Sequence, residues 1–199
     1  MNLQQMKVAI IKYNAGNIRS VDHALLRLGV GAVITDDFDT IRSADKVIFP
    51  GVGEAGTTMK YLQDRGLDRL LKGLSQPVLG ICLGQQLMCS WSEEGNTRCI
   101  GIFDQEVRRF PAGPLKVPHM GWNSLDRVGG DLFPAELQGA YVYFVHSYYV
   151  PVCEDTAAET HYMVPFSAAM QHKNFYATQF HPEKSGDQGE LILSQFLQL

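Results

Sequence analysis

Residues 79–88 read LGICLGQQLM, an apolar run that passes across one cysteine into helix formers. Residues 77–81 have the length and apolar character of a short buried strand, while residues 85–91, rich in Gln, Leu and Met, predict a helix. Cys82 therefore falls on a strand-to-helix bend, with Gly80 and Gly84 on either side, where missing side chains permit a tight turn and a close backbone approach. The thiol stands on the corner, facing free N–H groups and the positive end of the following helix, which favour a thiolate. Magnitudes limit that effect. A helix terminus gives a nearby charge about 0.3–1 kcal/mol, less than the roughly 1.4 kcal/mol of one pKa unit, so an ordinary cysteine needs a second activator, most naturally a histidine. On these ten residues alone, a reactive nucleophile and an inert buried thiol fit equally well.

Outward from the bend, strands and helices alternate. Residues 7–12 read as a strand and 17–28 as a helix ended by Gly29 and Gly31; residues 32–35 resume an extended run. Residues 46–49 form a strand stopped by Pro50, and residues 57–74 a helix broken near Gly66. This order predicts an α/β fold with a mostly parallel central sheet, helices on both faces, and ligand sites beyond the C-terminal strand ends, where Cys82 lies. After Gly95 the pattern turns strand-like at residues 100–110, 141–145, 166–171 and 175–180, with Lys173-Asn174 closing a hairpin and residues 191–199 a final helix. No repeat or linker divides residues 1–199, which read as a single domain.

Composition narrows the chemistry. The 199 residues are 45% hydrophobic, enough for a sizeable core. No window is long and apolar enough to span a membrane, and the opening MNLQQMKVAIIK lacks a basic n-region and a signal-like cleavage site, which predicts a cytoplasmic protein with no membrane role. Cys82, Cys89, Cys99 and Cys153 show neither CxxC spacing nor the density of a disulfide scaffold. They match no zinc spacing with the scattered histidines, and His23, His161 and His172 read as surface or packing residues. A formal charge of −4, with only a sparse basic region at Arg108, Arg109 and Lys116, argues against nucleic acid.

The second activator is sought near the C-terminus, in Gln179-Phe180-His181-Pro182-Glu183. In an extended segment residues i and i+2 point the same way, and Pro182 biases His181 away from helix, so His181 and Glu183 can share a face. Cys82 as nucleophile, His181 as general base and then acid, and Glu183 as orienter make the Cys-His-acid arrangement of covalent acyl transfer. The alternative is a surface turn with a solvated carboxylate. Thiolate attack creates an oxyanion, for which the Leu83 N–H at the bend and an N–H from Val52 or Gly53, after the neighbouring strand, are candidate donors. Residues 51–56, GVGEAG, also match G-x-G-x-x-G, but they follow the third strand and no acidic residue ends the next one, so an oxyanion loop or a plain turn fits better than a dinucleotide site.

The chain resembles the class I glutamine amidotransferases. Gly80-Ile81-Cys82-Leu83-Gly84-Gln85-Gln86 matches their GxCxGxQ elbow, and His181-Pro182-Glu183 their C-terminal His-Pro-Glu. Further matches are KVAIIKYNAGNIRSV from Lys7, the loop PGVG, VPHMGWN at 117–123, FVHSY at 144–148 and the run 179–185. They span nearly the whole chain and resemble the branch of that family whose glutaminase subunits serve a cyclase. The resemblance implies a three-layer, flavodoxin-like sandwich with a nucleophile elbow at a strand end. It implies hydrolysis of L-glutamine to L-glutamate and ammonia through a Cys82 thioester, without cofactor or metal. It further implies a heterodimer with a (β/α)8-barrel cyclase subunit, which uses the ammonia to form imidazole glycerol phosphate and AICAR in histidine biosynthesis. Gln86 and the backbones of Gly53, Ser147 and Tyr148 would hold glutamine. His119, Trp122, Asn123 and Lys184 would meet the cyclase, since aromatic anchors are enriched at interfaces and Lys184 follows Glu183. Two other readings remain: a stand-alone cysteine hydrolase of another γ-glutamyl amide, and a catalytically silent assembly module on the same fold.

Overall fold

The computed structural model describes residues 5–13 and 18–199. The expected helix start at Asn17, and residues 14–17 of the N-terminal motif, lie outside the described residues. Strands Val8–Ile11 (β1), Ala32–Thr35 (β2), Lys46–Gly51 (β3) and Val78–Cys82 (β4) alternate with helices Ile18–Arg27 (α1), Phe38–Arg42 (α2), Ala55–Arg65 (α3) and Leu67–Lys72 (α4). Leu83–Met88 (α5) follows β4 directly. The second half carries Trp91–Ser92 (β5), Thr97–Arg98 (β6), Glu106–Arg109 (β7), His119–Ser124 (β8), Arg127–Val128 (β9), Tyr141–His146 (β10), Tyr148–Tyr149 (β11), Thr156–Tyr162 (β12), Val164–His172 (β13) and Phe175–Thr178 (β14), and ends in Gly186–Gln198 (α6).

The main sheet runs β2-β1-β3-β4-β14-β13-β12-β9. Its first five strands are parallel and its last three pair antiparallel. Alternation along the strands divides the core. Val8 and Ile10 of β1 join Val21 and Leu25 of α1 and Ile192 and Phe196 of α6 on one face. Ala9 and Ile11 join Ile41, Met59, Leu62, Leu70 and Leu87 on the other. Each fully buried aliphatic or aromatic side chain contributes about 1.5–3 kcal/mol relative to exposure, so short strands covered on both faces suffice to hold the expected three layers. A small β8–β10 sheet packs its inner residues Val142 and Phe144 into the first core. Among the described residues no helix is long and apolar enough to cross a membrane.

Several boundaries differ from the sequence reading. Pro50 does not stop β3, which pairs Pro50 with Ile81 and Gly51 with Cys82; the proline lacks a donor, but its carbonyl accepts from the Tyr13 hydroxyl. Only residues 106–109 of the expected 100–110 strand are extended. The N–H groups of Ile100, Gly101, Ile102 and Phe103 instead bond to the carbonyls of Leu87, Cys89 and Met88, covering the exposed end of α5. The last helix starts at Gly186, five residues before the expected 191, because Gly186 and Gly189 mask its first turns in the sequence. The break at Gly66, with φ 70°, and the two-residue turn at Lys173-Asn174 stand as expected.

Candidate active site

No loop residue separates β4 from α5. The reversal holds Cys82 at φ 55° and ψ −109°, a backbone state costly for a residue with a Cβ and of the kind stored at reactive centres, about 1–3 kcal/mol. Close approach makes it possible. A Cβ on Gly80 would come 2.5 Å from the Met88 sulfur, and one on Gly84 would overlap the Phe49 carbonyl oxygen. These glycines let α5 lie against the ends of β3 and β4.

β14 neighbours β4, with Thr178 opposite Ile81, and delivers the chain to His181. The His181 ring is buried, with Nδ1 2.8 Å from Oε1 of Glu183, also buried. Its backbone is fixed by His181 N–H donating to Tyr143 and Ser185 Oγ donating to the His181 carbonyl. The other ring nitrogen, Nε2, is buried and faces the Cys82 sulfur. Burial alone would lower the imidazole's pKa, but the neighbouring Cys82 sulfur and the hydrogen-bonded Glu183 carboxylate outweigh it and raise it to about 10.

Sequence reasoning gave Gln179 no role, yet its buried Nε2 donates to Cys82 Sγ at 3.8 Å. Its Oε1 accepts from Gln86 Nε2 at 3.0 Å, and the same Gln86 nitrogen donates to the Tyr148 carbonyl at 3.0 Å. Both amide hydrogens of Gln86 are thus engaged, leaving its Oε1 for a ligand. The only trace in the sequence is a glutamine at an otherwise apolar strand end.

Cys82, Gln86, Ser147, Tyr148 and His181 border a cavity of about 330 Å³, together with Val52, Gly53, Leu83 and Glu94. A larger cleft of about 540 Å³ near Arg127, Asp155 and His172 is lined by no cysteine. Leu83 opens α5, where its N–H has no acceptor in the helix's own ladder. Gly53 adopts φ 119° after β3. Tyr13, another residue the sequence left unassigned, braces this loop by donating its hydroxyl to the Pro50 carbonyl. Burial, then the charge of Cys82, push the Tyr13 pKa up, so it stays a phenol. Glu94 was also unforeseen. Its Oε2 accepts from the Ala55 N–H at 2.9 Å, and burial, despite that bond, raises its carboxyl pKa, as does the charge of Glu54.

The four expected interface residues separate into two groups. Trp122 is 55% exposed, and Met120, two positions earlier on β8 and on the same side, is 63% exposed. Asn123 is half-buried and Lys184 exposed, on a turn fixed to β10 through the Tyr143 bonds. His119 corrects the expectation: its side chain is buried and stacked between Phe144 and Tyr162, because alternation along β8 turns it to the core. Cys89 and Cys99 are buried, and burial raises the pKa of each thiol. Among the described residues no three His, Cys, Asp or Glu side chains are grouped to hold a metal ion.

Residues 9–199 match the family model for class I glutamine amidotransferases. The imidazole glycerol phosphate synthase subunit HisH of Bacteroides fragilis is 65% identical over 98% of this chain and 100% of its own length. The subunit of the same name from Bacteroides thetaiotaomicron is 63% identical, with the same coverage. A crystal structure of a glutamine amidotransferase superposes with a TM-score of 0.73 at 18% identity, covering 96% of this chain and 97% of that one, a likeness of fold.

Proposed function

The chain belongs to the class I glutamine amidotransferases, among the HisH glutaminase subunits of imidazole glycerol phosphate synthase that serve histidine biosynthesis, and from that premise we propose that Cys82, His181 and Glu183 carry its glutamine hydrolysis. The observation that supports this reading most is the buried His181–Glu183 pair, with the second ring nitrogen turned to the sulfur of an elbow cysteine. The Cys82 thiolate attacks the side-chain amide carbon of glutamine, and the carbonyl oxygen takes the negative charge. Leu83 and Gly53 N–H groups stabilise that oxyanion, a contribution of about 3–4 kcal/mol per donor. Val52, beside Gly53 in the same loop, is a further candidate donor. His181 gives its proton to the departing nitrogen, so ammonia leaves and a thioester remains. The ring then takes a proton from water, whose oxygen attacks the thioester; the tetrahedral intermediate expels the Cys82 thiolate, the imidazole keeps the proton from water, and glutamate leaves, its new carboxyl proton passing to solvent. Glu183 holds the ring throughout and stabilises its charged form.

Gln86 Oε1 and the Glu94 carboxylate serve as acceptors for the ammonium and amide hydrogens of glutamine, with Ser147 and Tyr148 lining the same cavity. These acceptors favour glutamine over an amide lacking an α-ammonium group. The ammonia passes to a (β/α)8-barrel cyclase subunit in a cytoplasmic heterodimer, with Trp122, Asn123 and Lys184 at the contact. The test is glutamate release from glutamine by the purified chain, alone and with the cyclase and its ribotide. Glutamate formation in the complex supports the reading, and a complex that forms but releases none overturns it.

A further inference from the structure

β8 and β10 pair antiparallel with His119 opposite His146, and both rings turn inward, outside the Cys82–His181–Glu183 set. Nδ1 of His146 lies 2.7 Å from the Tyr148 carbonyl oxygen. A carbonyl only accepts, so His146 carries its proton on Nδ1 and a lone pair on Nε2. That lone pair lies 2.9 Å from Nδ1 of His119, which must then be the donor. Nε2 of His119 is left to accept, and Asn123 Nδ2 lies 3.3 Å from it. The Asn123 amide is oriented independently, because its Oδ1 accepts from the Ser124 N–H at 2.9 Å and its Nδ2 donates to the His161 carbonyl at 3.1 Å. The direction is therefore fixed from both ends, with each ring neutral and in one tautomer.

Packing holds the rings in that register. His119 stacks 4.0 Å from Tyr162 and 4.8 Å from Phe144, and His146 lies 5.2 Å from Phe110 and 5.1 Å from Phe166. Phenylalanine would serve such an aromatic cluster without polar atoms to satisfy. Histidine is accounted for by what the chain reaches: the Tyr148 carbonyl receives His146 on one lone pair and Gln86 on the other. Ser147 is tied in turn by the Phe110 N–H at 3.1 Å.

We propose that Asn123, His119 and His146 are positioning residues, a one-directional hydrogen-bond chain from the half-exposed face of the β8–β10 strand pair to the Tyr148 carbonyl that sets residues 147–148 and the Gln86 amide for glutamine. The proposal rests on the reading of the cavity as the glutamine site. Removing the His146 donor leaves one lone pair of the Tyr148 carbonyl unpaired and releases the strand end and Gln86 to shift. The loss falls on glutamine binding; the Cys82 sulfur meets this strand end only at the Val145 carbonyl, 3.8 Å away, and keeps its Gln179 and His181 neighbours.

The experiment uses the full chain in complex with the cyclase. Nitrogen-15 spectra of the wild-type imidazoles at pH 7 are expected to show the neutral Nδ1–H tautomer at both His119 and His146; an Nε2–H tautomer or an imidazolium at either overturns the chain. His146→Phe keeps the aromatic volume and removes both nitrogens. It is expected to raise KM for glutamine about tenfold or more while kcat changes less and alkylation of Cys82 by iodoacetamide keeps its wild-type rate. His146→Asn restores a donor toward Tyr148 and should recover most of the KM. An unchanged KM in His146→Phe overturns the proposal, and if that variant fails to fold the wild-type tautomers decide. Absence of glutamate release by the wild-type complex would strike the functional reading and leave the tautomer result standing.

Discussion

Cys82 sits in a backbone state that only a strained bend supplies, and the Gln179 amide on its sulfur and the buried His181–Glu183 pair both come from the one run that follows β14. Cys82→Ala is expected to abolish glutamine-dependent turnover while the proposed complex still uses added ammonium salts, because a cyclase supplied with free ammonia bypasses the thiol. Glutamine-dependent turnover surviving the change would exclude Cys82 as nucleophile. His181→Ala should reduce thioester formation about 10³-fold or more, and Glu183→Gln less, since an amide still orients the ring but does not stabilise imidazolium. Single-turnover assays with the two variants give that order directly. Cys82, His181 and Glu183 are legible in the sequence because each lies in a contiguous motif whose local geometry follows from glycine and proline. Gln179, Tyr13 and Glu94 are not, because their roles arise where β14, β1 and the loop after β5 converge, and nothing adjacent in sequence marks that convergence.

At the scale of elements, the elbow is held by absent side chains. Gly84→Ala would force a methyl into the Phe49 carbonyl, backbone that cannot swing away, so α5 must lift from β3 at a cost of about 1–3 kcal/mol or more. Urea unfolding should show a lower midpoint with an unchanged slope. The β8–β10 pair carries a pH dependence. Burial holds His119 near a pKa of about 4, and burial with the charges of His119 and His181 holds His146 near about 3, against 6.5 for a free ring. Between pH 6.5 and about 4 the unfolded chain binds protons that the fold excludes, so stability falls with pH by about 1.4 kcal/mol per unit for each ring. His181 has the opposite sign: its contribution is full below pH 6.5 and is lost as pH rises through about 10. Unfolding midpoints at pH 7 and pH 5 should therefore differ less in a His119→Phe, His146→Phe double variant than in wild type. The parallel strands were legible from apolar runs bounded by glycine, whereas β8 and β12, HMGWNS and TAAETHY, were not, because their mixed polarity carries no clean alternation.

At the scale of the molecule, the cavity, the β8–β10 strand pair and the turn carrying Lys184 sit side by side, so one docking surface can cover the cavity and touch all three. Free ammonia in neutral water is mostly protonated and loses nucleophilicity, so hydrolysis without the cyclase wastes glutamine. Trp122 and Met120 lie together on the outer side of β8 and support no core, so truncating either changes fold stability little, within about 0.5 kcal/mol. An indole that anchors a partner behaves differently: Trp122→Ala is expected to raise the Kd for the cyclase about 30-fold, the equivalent of roughly 2 kcal/mol at a hot spot. Lys184 is an exposed charge next to Glu183, and such charges contribute little to folding, so Lys184→Ala should leave the unfolding midpoint in place. Its effect belongs in the ratio of glutaminase turnover with and without cyclase and ribotide, which should fall. Titrating each variant with cyclase while following turnover separates the two roles, because an anchor shifts the midpoint of the titration and a coupling residue lowers its plateau. A Trp122→Ala titration that overlays wild type removes the anchor, and a Lys184→Ala plateau equal to wild type removes the coupling.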